Sequence, residues 1–265
     1  MSKNNYQGEE LLTCLKELHL PAVRDGYQEL AEAARREGLG YEAYLLEVVQ
    51  RECQLRRQHR MERLLRESRL PVDKSLAAFD LKRLPGRVSA VVRTLLDGGF
   101  VERRENVLVF GNPGSGKSHL LCGIGQELVR GGRRVYFTST NLLVQELLLA
   151  KRELRLPKAI KKLSGYAALI LDDLGYVQQN REEMEVLFTL LAERYERGSV
   201  LITSNLPFGK WELIFKDAMT TAAAIDRLVH HSVILELNLP SYRVEQAKKS
   251  RGAGPADGPP LQGEK

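Results

Sequence analysis

Residues 106–128 read "NVLVFGNPGSGKSHLLCGIGQEL", and the fold turns on how the middle of that stretch is read. "NVLVFG" is an apolar run with the composition of a buried strand, and "GKSHLLCGIGQELVRGG" has the spacing of a helix with one buried side. Between them, residues 111–118 satisfy G-x-x-x-x-G-K-[ST]. A strand before and a helix after are the setting in which that pattern cradles phosphate. Gly111, Gly114 and Gly116 relieve the steric limits on the backbone, so that its amides can wrap an anion. The helix that begins near Lys117 adds the positive end of its dipole. The Lys117 ammonium reaches the β- and γ-phosphates, and the Ser118 hydroxyl offers an oxygen to Mg²⁺. The nucleotide-binding candidates are Gly111, Asn112, Pro113, Gly114, Ser115, Gly116, Lys117, Ser118 and His119. ATP and Mg²⁺ are the cofactors this loop predicts.

Working outward, the chain from residue 105 alternates strand and helix. "RRVYFTS", "YAALILDDL", "SVLITSN" and "SVILEL" read as four further strands, with helical patterns between them. Such alternation predicts an α/β domain, a five-stranded parallel sheet flanked by helices. A parallel sheet binds ligands outside the carboxyl ends of its strands. "ALILDDLG" ends a strand with paired acids there: Asp172 would hold Mg²⁺ together with Ser118, and Asp173 would orient or deprotonate the attacking water. "LITSNLP" ends another strand with Asn205, which either senses the γ-phosphate and positions water or terminates the strand in a turn. Arg227, in "AAAIDRLVHH", either pairs with an acid on its own helix or reaches a nucleotide on an adjacent subunit. His230 and His231 lack the partners a metal site needs, and no chemistry is assigned to them.

Residues 1–75 read as a small all-helical N-terminal domain, punctuated by Pro21, Gly38 and Gly40. "LPVDKSLAAFDLKRLPG" is the break, residues 76–250 form the α/β domain, and the Gly/Pro-rich residues 251–265 read as a disordered tail. Charge is uneven. Residues 1–50 hold nine acidic against five basic side chains, and residues 51–69 hold seven arginines against three glutamates. That second stretch reads as a helix with Met61, Leu64 and Leu65 in its buried stripe. It is either a solvated face or a helix that lies along a phosphate backbone through Arg56, Arg57 and Arg60. Residues 150–163, "AKRELRLPKAIKKL", carry six basic residues against one acid. Lys151, Arg152, Arg155, Lys158, Lys161 and Lys162 are the second DNA-binding candidates. The net charge of +6 is a weak tilt toward polyanions. Three dispersed cysteines make no disulfide framework, no apolar run spans a bilayer, and the N-terminus lacks the apolar core of a secretory signal. The expected location is cytoplasmic, with no membrane partner.

The order "GNPGSGKSH", "LILDDLGYV", "ERYERGSVLITSNLPF", "AAAIDRLVHHSVILEL" and "SYR" closely resembles the IstB-like transposition helper ATPases of bacterial insertion sequences, over about residues 10–245. Those are AAA+ proteins akin to the DnaC helicase loader. The resemblance implies an ATPase that assembles as a homo-oligomer on double-stranded DNA and recruits or stimulates a transposase encoded alongside. It gives Asn205 the sensor role and Arg227 that of a trans-acting arginine finger. It leaves a helicase loader as an alternative with the same engine. A P-loop small-molecule kinase is a further alternative, for which no acceptor pocket or arginine-bearing lid is found. Two departures stand out. Asp173 occupies a position where glutamate is usual, which implies slow hydrolysis. The chain after Leu237 is too short for a helical lid, which implies a nucleotide exposed until a neighbouring subunit covers it.

Overall fold

The computed structural model describes residues 3–175, 180–211, 218–242 and 244. The expected tail, residues 251–265, and Arg243 of the "SYR" run lie outside the described residues. The chain divides into two units, residues 1–63 and 64–265. The division falls earlier than the expected boundary at residue 75. The reason is local: Leu64 and Leu70 are buried in the core of the second unit, with Leu65 and Leu76 packed against it.

In the first unit, helix α1 (Lys3–Glu17) is followed by α2 (Pro21–Glu37) and by α3 (Tyr41–Ser68), whose end belongs to the second unit. Proline opens α2, where its missing N–H costs nothing, and Gly38 closes it in the left-handed region at φ 67°. The core is small: Leu15, Val23 and Val48, with Leu20, Tyr27, Leu30 and Tyr44 against them. The buried Glu52 carboxylate accepts from the Ala22 and Val23 amides at 2.9 and 3.3 Å, two donors that the start of α2 leaves without a helical acceptor. Arg56 donates to Glu52 at 2.8 Å and to the His19 carbonyl at 2.6 Å. Arg56, one of the DNA-binding candidates, thus makes both of these contacts within its own unit. Arg57 and Arg60 are exposed. Met61 is also exposed, at 38%, whereas Leu64 is 5% exposed. The buried stripe expected over Met61, Leu64 and Leu65 therefore begins only at Leu64.

The second unit opens with two 3₁₀ turns, Leu76–Ala78 and Leu81–Arg83, capped by the Ser75 and Asp80 side chains. Helices α4 (Gly86–Leu96) and α5 (Gly99–Glu102) lead into strand β1 (Asn106–Gly111). There follow α6 (Lys117–Arg130), β2 (Val135–Ser139), α7 (Thr140–Arg152), α8 (Leu156–Ser164) and β3 (Ala168–Leu174). The chain continues through α9 (Arg181–Arg194), β4 (Ser199–Ser204), α10 (Ala218–Val229) and β5 (Ser232–Leu237). The five strands run parallel in the order β2-β3-β4-β1-β5. Every strand the sequence predicts is present.

Side-chain parity builds the two faces. Leu108 and Phe110 of β1 join Leu169, Leu171, Val200 and Ile202 in a core under α7, α8 and α9. Val107 and Val109 join Ile170, Leu201 and Leu235 in a second core under α6 and α4. A parallel sheet covered on both sides needs apolar residues at both parities, which is why its strands read as unbroken apolar runs. The Arg194 guanidinium at the end of α9 is buried. It donates to the carbonyls of Tyr166 (2.6 Å), Ser199 (2.8 Å), Ala167 (3.2 Å) and Leu163 (3.3 Å), and burial pushes its pKa down to about 10. It fastens the N-terminal edges of β3 and β4, opposite the carboxyl edge of the sheet.

Candidate nucleotide-binding site

The strand order decides which loops meet at the carboxyl edge. β4 lies between β1 and β3, so the residues ending β4 stand between the loop after β1 and the acids of β3. The loop after β1 takes the conformation its glycines allow. Gly111 has φ 148°, and a Cβ there would lie 2.2 Å from the Leu237 carbonyl oxygen. Gly116, at φ 97°, begins α6, and a Cβ there would stand 2.8 Å from the Phe79 ring. Neither position accepts a side chain without moving its neighbours.

Lys117 is buried at the first position of α6. Its ammonium donates to the Gly111 and Asn112 carbonyls, each at 2.9 Å, and to the Asn205 Oδ1 at 2.5 Å. Three donors are thus matched by three acceptors. Burial lowers the Lys117 pKa, and the carboxylates of Asp173 and Asp172 oppose that shift. The ammonium stands beside a cavity of about 460 Å³ that Pro113 to His119, Asp173 and Asn205 line. Gly111 and Asn112 lie behind that lining, with their carbonyls turned to Lys117. His119 lines the cavity, but a ring nitrogen is 2.8 Å from the Ser75 carbonyl and its ring meets Phe79 edge-on at 5.3 Å.

The paired acids are separated by a bulge. Leu171 pairs with Ile202 and Leu174 with Ser204, so Asp172 and Asp173 together oppose Thr203. The Thr203 hydroxyl donates to Asp172 Oδ1 at 2.6 Å and accepts from the Asp173 amide at 2.8 Å. Asp173 takes the left-handed region at φ 57°, which aspartate tolerates better than most residues. In consequence Asp172 is buried while Asp173 is exposed and faces the cavity. The sequence located both acids and missed Thr203, because its role exists only across the β3–β4 pairing. The Ser118 hydroxyl and the Asp172 and Asp173 carboxylates are all hard oxygen donors, the set that suits Mg²⁺. The buried Ser115 hydroxyl has no hydrogen-bond partner among the described residues. Cys122 on α6 plays no part: burial pushes its thiol up to about 12.

The rest of the cavity wall comes from segments that no motif marks. Residues 73–83 contribute Asp73, Lys74, Ala78, Phe79, Asp80 and Arg83, and the chain after β5 contributes Leu239 and Tyr242. The Tyr242 amide donates to the Gly114 carbonyl at 3.0 Å. Arg83 donates to the Pro240 carbonyl at 3.1 Å and lies 5.1 Å from the Tyr242 ring centre. Residues 73–83 and 239–242 of the chain itself thus form part of the cavity wall.

Arg227 is not part of that wall. Its guanidinium lies over the Phe188 ring at 4.6 Å, and its buried Nη1 has no hydrogen-bond partner among the described residues. The basic stretch 150–163 is divided between α7 and α8. Lys151 pairs with Glu185 at 2.9 Å and Arg155 with Glu153 at 3.1 Å. Arg152 is exposed, and Lys158, Lys161 and Lys162 are exposed on α8, whose Ile160 and Leu163 are buried.

A family model described as IstB-like ATP binding protein matches residues 13–250. The chain belongs to that family. It is 44% identical over 242 residues to an insertion-sequence ATP-binding protein of Sinorhizobium fredii, covering 90% of this chain and 81% of that one. To the insertion sequence IS21 ATP-binding protein of Pseudomonas aeruginosa it is 40% identical over 241 residues, covering 91% of each. Among solved structures it is similar to AMPPCP-bound DnaA from Aquifex aeolicus, with a TM-score of 0.54 and 19% identity over 68% of this chain and 56% of that one. A likeness to DnaI has a TM-score of 0.52 and 22% identity, over 65% of this chain and 94% of that one. At those identities the structures speak for the fold alone, an AAA+ sheet with a P-loop. Among the described residues no helix is long and apolar enough to cross a membrane.

Proposed function

We propose that this chain is an ATPase that assembles on duplex DNA as a homo-oligomer and recruits or stimulates the transposase of its insertion sequence. The observation that carries the reading is the joint position of Lys117, Asn205 and Asp173 on one cavity. ATP enters with its phosphates on the loop amides and the N-terminus of α6. The Lys117 ammonium exchanges its carbonyl partners for β- and γ-phosphate oxygens. Ser118 and Asp172 would hold Mg²⁺, which neutralises phosphate charge when bound. Thr203 keeps the Asp172 carboxylate aimed. Asp173 accepts the proton of the attacking water, and Asn205, already in contact with Lys117, registers whether a γ-phosphate is present.

Arg227 completes the site of a neighbouring subunit in this reading. Its support is the unpartnered Nη1 and its absence from the wall of its own chain's cavity. Lys158, Lys161 and Lys162 grip DNA phosphates without reading bases. The insertion-sequence names of the relatives support a role in transposition. The test is release of ADP and phosphate by the purified chain, with and without duplex DNA, alongside light scattering. Stimulated release by a DNA-bound oligomer, abolished in Asp173→Asn, is the expected result. Absence of phosphate release with DNA and the transposase both present overturns the reading.

A further inference from the structure

We infer that Glu196, His230 and His231 form a zinc site at the amino edge of the sheet, away from the phosphates. Among the described residues they are the group of three metal-ligating side chains whose ligand atoms all lie within 4.8 Å of one another. The turn after α9 supplies Glu196 and the turn after α10 supplies the histidines. A sequence reading sees two histidines and no partner, because Glu196 is far away in the chain. The parallel order β4-β1-β5 brings the two turns together.

The ligand positions are held before any metal arrives. The Arg104 guanidinium donates to the Glu196 carbonyl at 2.6 Å, and Glu196 sits in the left-handed region at φ 56°. The Asn106 amide donates to the His231 carbonyl at 2.7 Å, and the His230 amide to Asp226 at 3.0 Å. His231 Nε2 already faces Glu196 Oε1 at 3.9 Å. His230 Nδ1 is 3.2 Å from the Tyr195 hydroxyl, which leaves Nε2 as its metal-binding nitrogen. A histidine that coordinates through one nitrogen and hydrogen-bonds through the other has its tautomer fixed, the arrangement found around bound zinc. Two imidazoles and one carboxylate are a zinc donor set, with water as the fourth ligand. Tetrahedral zinc separates its ligand atoms by about 3.4 Å. The observed spacing, within 4.8 Å, is wider, so the three exposed side chains close on the metal by rotation.

Bound zinc would tie the end of α9 to the end of α10. Those helices carry Phe188 and Arg227, which stack on each other. The site itself does not depend on the nucleotide chemistry, since the strands of six residues put about 20 Å between the two edges of the sheet. The test is calorimetric titration with Zn²⁺ alone, on the full chain carrying Cys14→Ser and Cys53→Ser so that the exposed thiols do not compete. One equivalent binding with a Kd of about 10 μM or tighter is expected. Glu196→Gln and His231→Asn should each weaken it at least ~10-fold, and Tyr195→Phe by about 10-fold. Matching circular dichroism spectra establish that the variants are folded; Glu196 and His231 are exposed and Tyr195 is half-buried. Binding weaker than about 100 μM, or binding that Glu196→Gln and His231→Asn leave unchanged, overturns the site.

Discussion

Replacing Thr203 with valine removes a hydroxyl and keeps the side chain's shape, so it isolates what that oxygen does. The oxygen makes a 2.6 Å bond to the Asp172 carboxylate and a 2.8 Å bond from the Asp173 amide, both across the β3–β4 bulge. A hydrogen bond to a charged group contributes about 1.5–3 kcal/mol, and an orphaned amide costs about 1–3 kcal/mol, the lower end applying to the part-buried Asp173 amide. The sum is about 2.5–6 kcal/mol, and partial relaxation of the bulge brings the expected loss toward the lower part of that range, about 3 kcal/mol. About half of it should appear as a freed Asp172 carboxylate, worth close to tenfold in apparent Mg²⁺ affinity. Urea unfolding should therefore show reduced stability, and ATP turnover by Thr203→Val should need about tenfold more Mg²⁺ for half-saturation. Thr203→Ser keeps the hydroxyl and should stay within about 1 kcal/mol of wild type. If Thr203→Val matches wild type in both measurements, or Thr203→Ser fails as badly as Thr203→Val, the hydroxyl bridge does not organise the acids.

Lys117→Ala should lose ATP binding and turnover together, whereas Asp173→Asn should bind ATP and fail to hydrolyse it; equal loss of affinity in a filter-binding assay contradicts the division of roles. Arg227→Ala should slow hydrolysis by a factor in the range ~10³–10⁵ with near-normal ATP binding. Mixing it with Lys117→Ala on DNA should restore part of the activity, because the second protomer lends its arginine to the first; no recovery in co-assembled mixtures would place Arg227 within its own chain. Reversing Lys158, Lys161 and Lys162 to glutamate should weaken binding to all duplex sequences alike and flatten the log–log salt slope by about 0.9 per lost phosphate contact. Sequence-selective loss in fluorescence anisotropy would argue against backbone contacts. Burial raises the Glu52 pKa, but its bonds from Arg56, Val23 and Ala22 outweigh that and hold it below its ordinary value of 4.5. Its contribution to the first unit is therefore complete above pH 4.5 and is lost as pH falls through the lower folded-state value. Hydrogen-exchange protection of the Ala22 and Val23 amides should fall over that window; protection that stays constant down to pH 3 would show that Glu52 is not the cap.

Much of this protein was legible in one dimension. The central strands announce themselves because a sheet buried on both faces needs apolar residues at every position, and that demand is written in consecutive residues such as "VLVF" and "LIL"; β5, at the edge, is buried on one side only, at Leu235 and Leu237. The proposed phosphate loop is equally local: Gly111, Gly114, Gly116, Lys117 and Ser118 lie in one short stretch of chain. Asp172 and Asp173 could be placed at a strand's end for the same reason. The buried side of the arginine-rich helix was less legible. Helical spacing gives a stripe but not its length, and Met61 and Leu64 part company where the chain passes from one unit to the next.

What the tertiary structure alone decided are the contacts between segments distant in sequence. Lys117 meets Asn205 because β4 inserts between β1 and β3, although both β2 and β3 intervene in the chain. The same insertion puts Thr203 against Asp172, and a bulge then sends Asp173 to the cavity while its neighbour stays buried. Arg83 and Tyr242 approach each other from opposite ends of the domain to wall the cavity, and Glu196 finds the two histidines at the far edge. Propensity and periodicity report what a residue asks of its immediate surroundings. Which partner answers is set by strand order, and that order follows from how two helical layers cover one sheet.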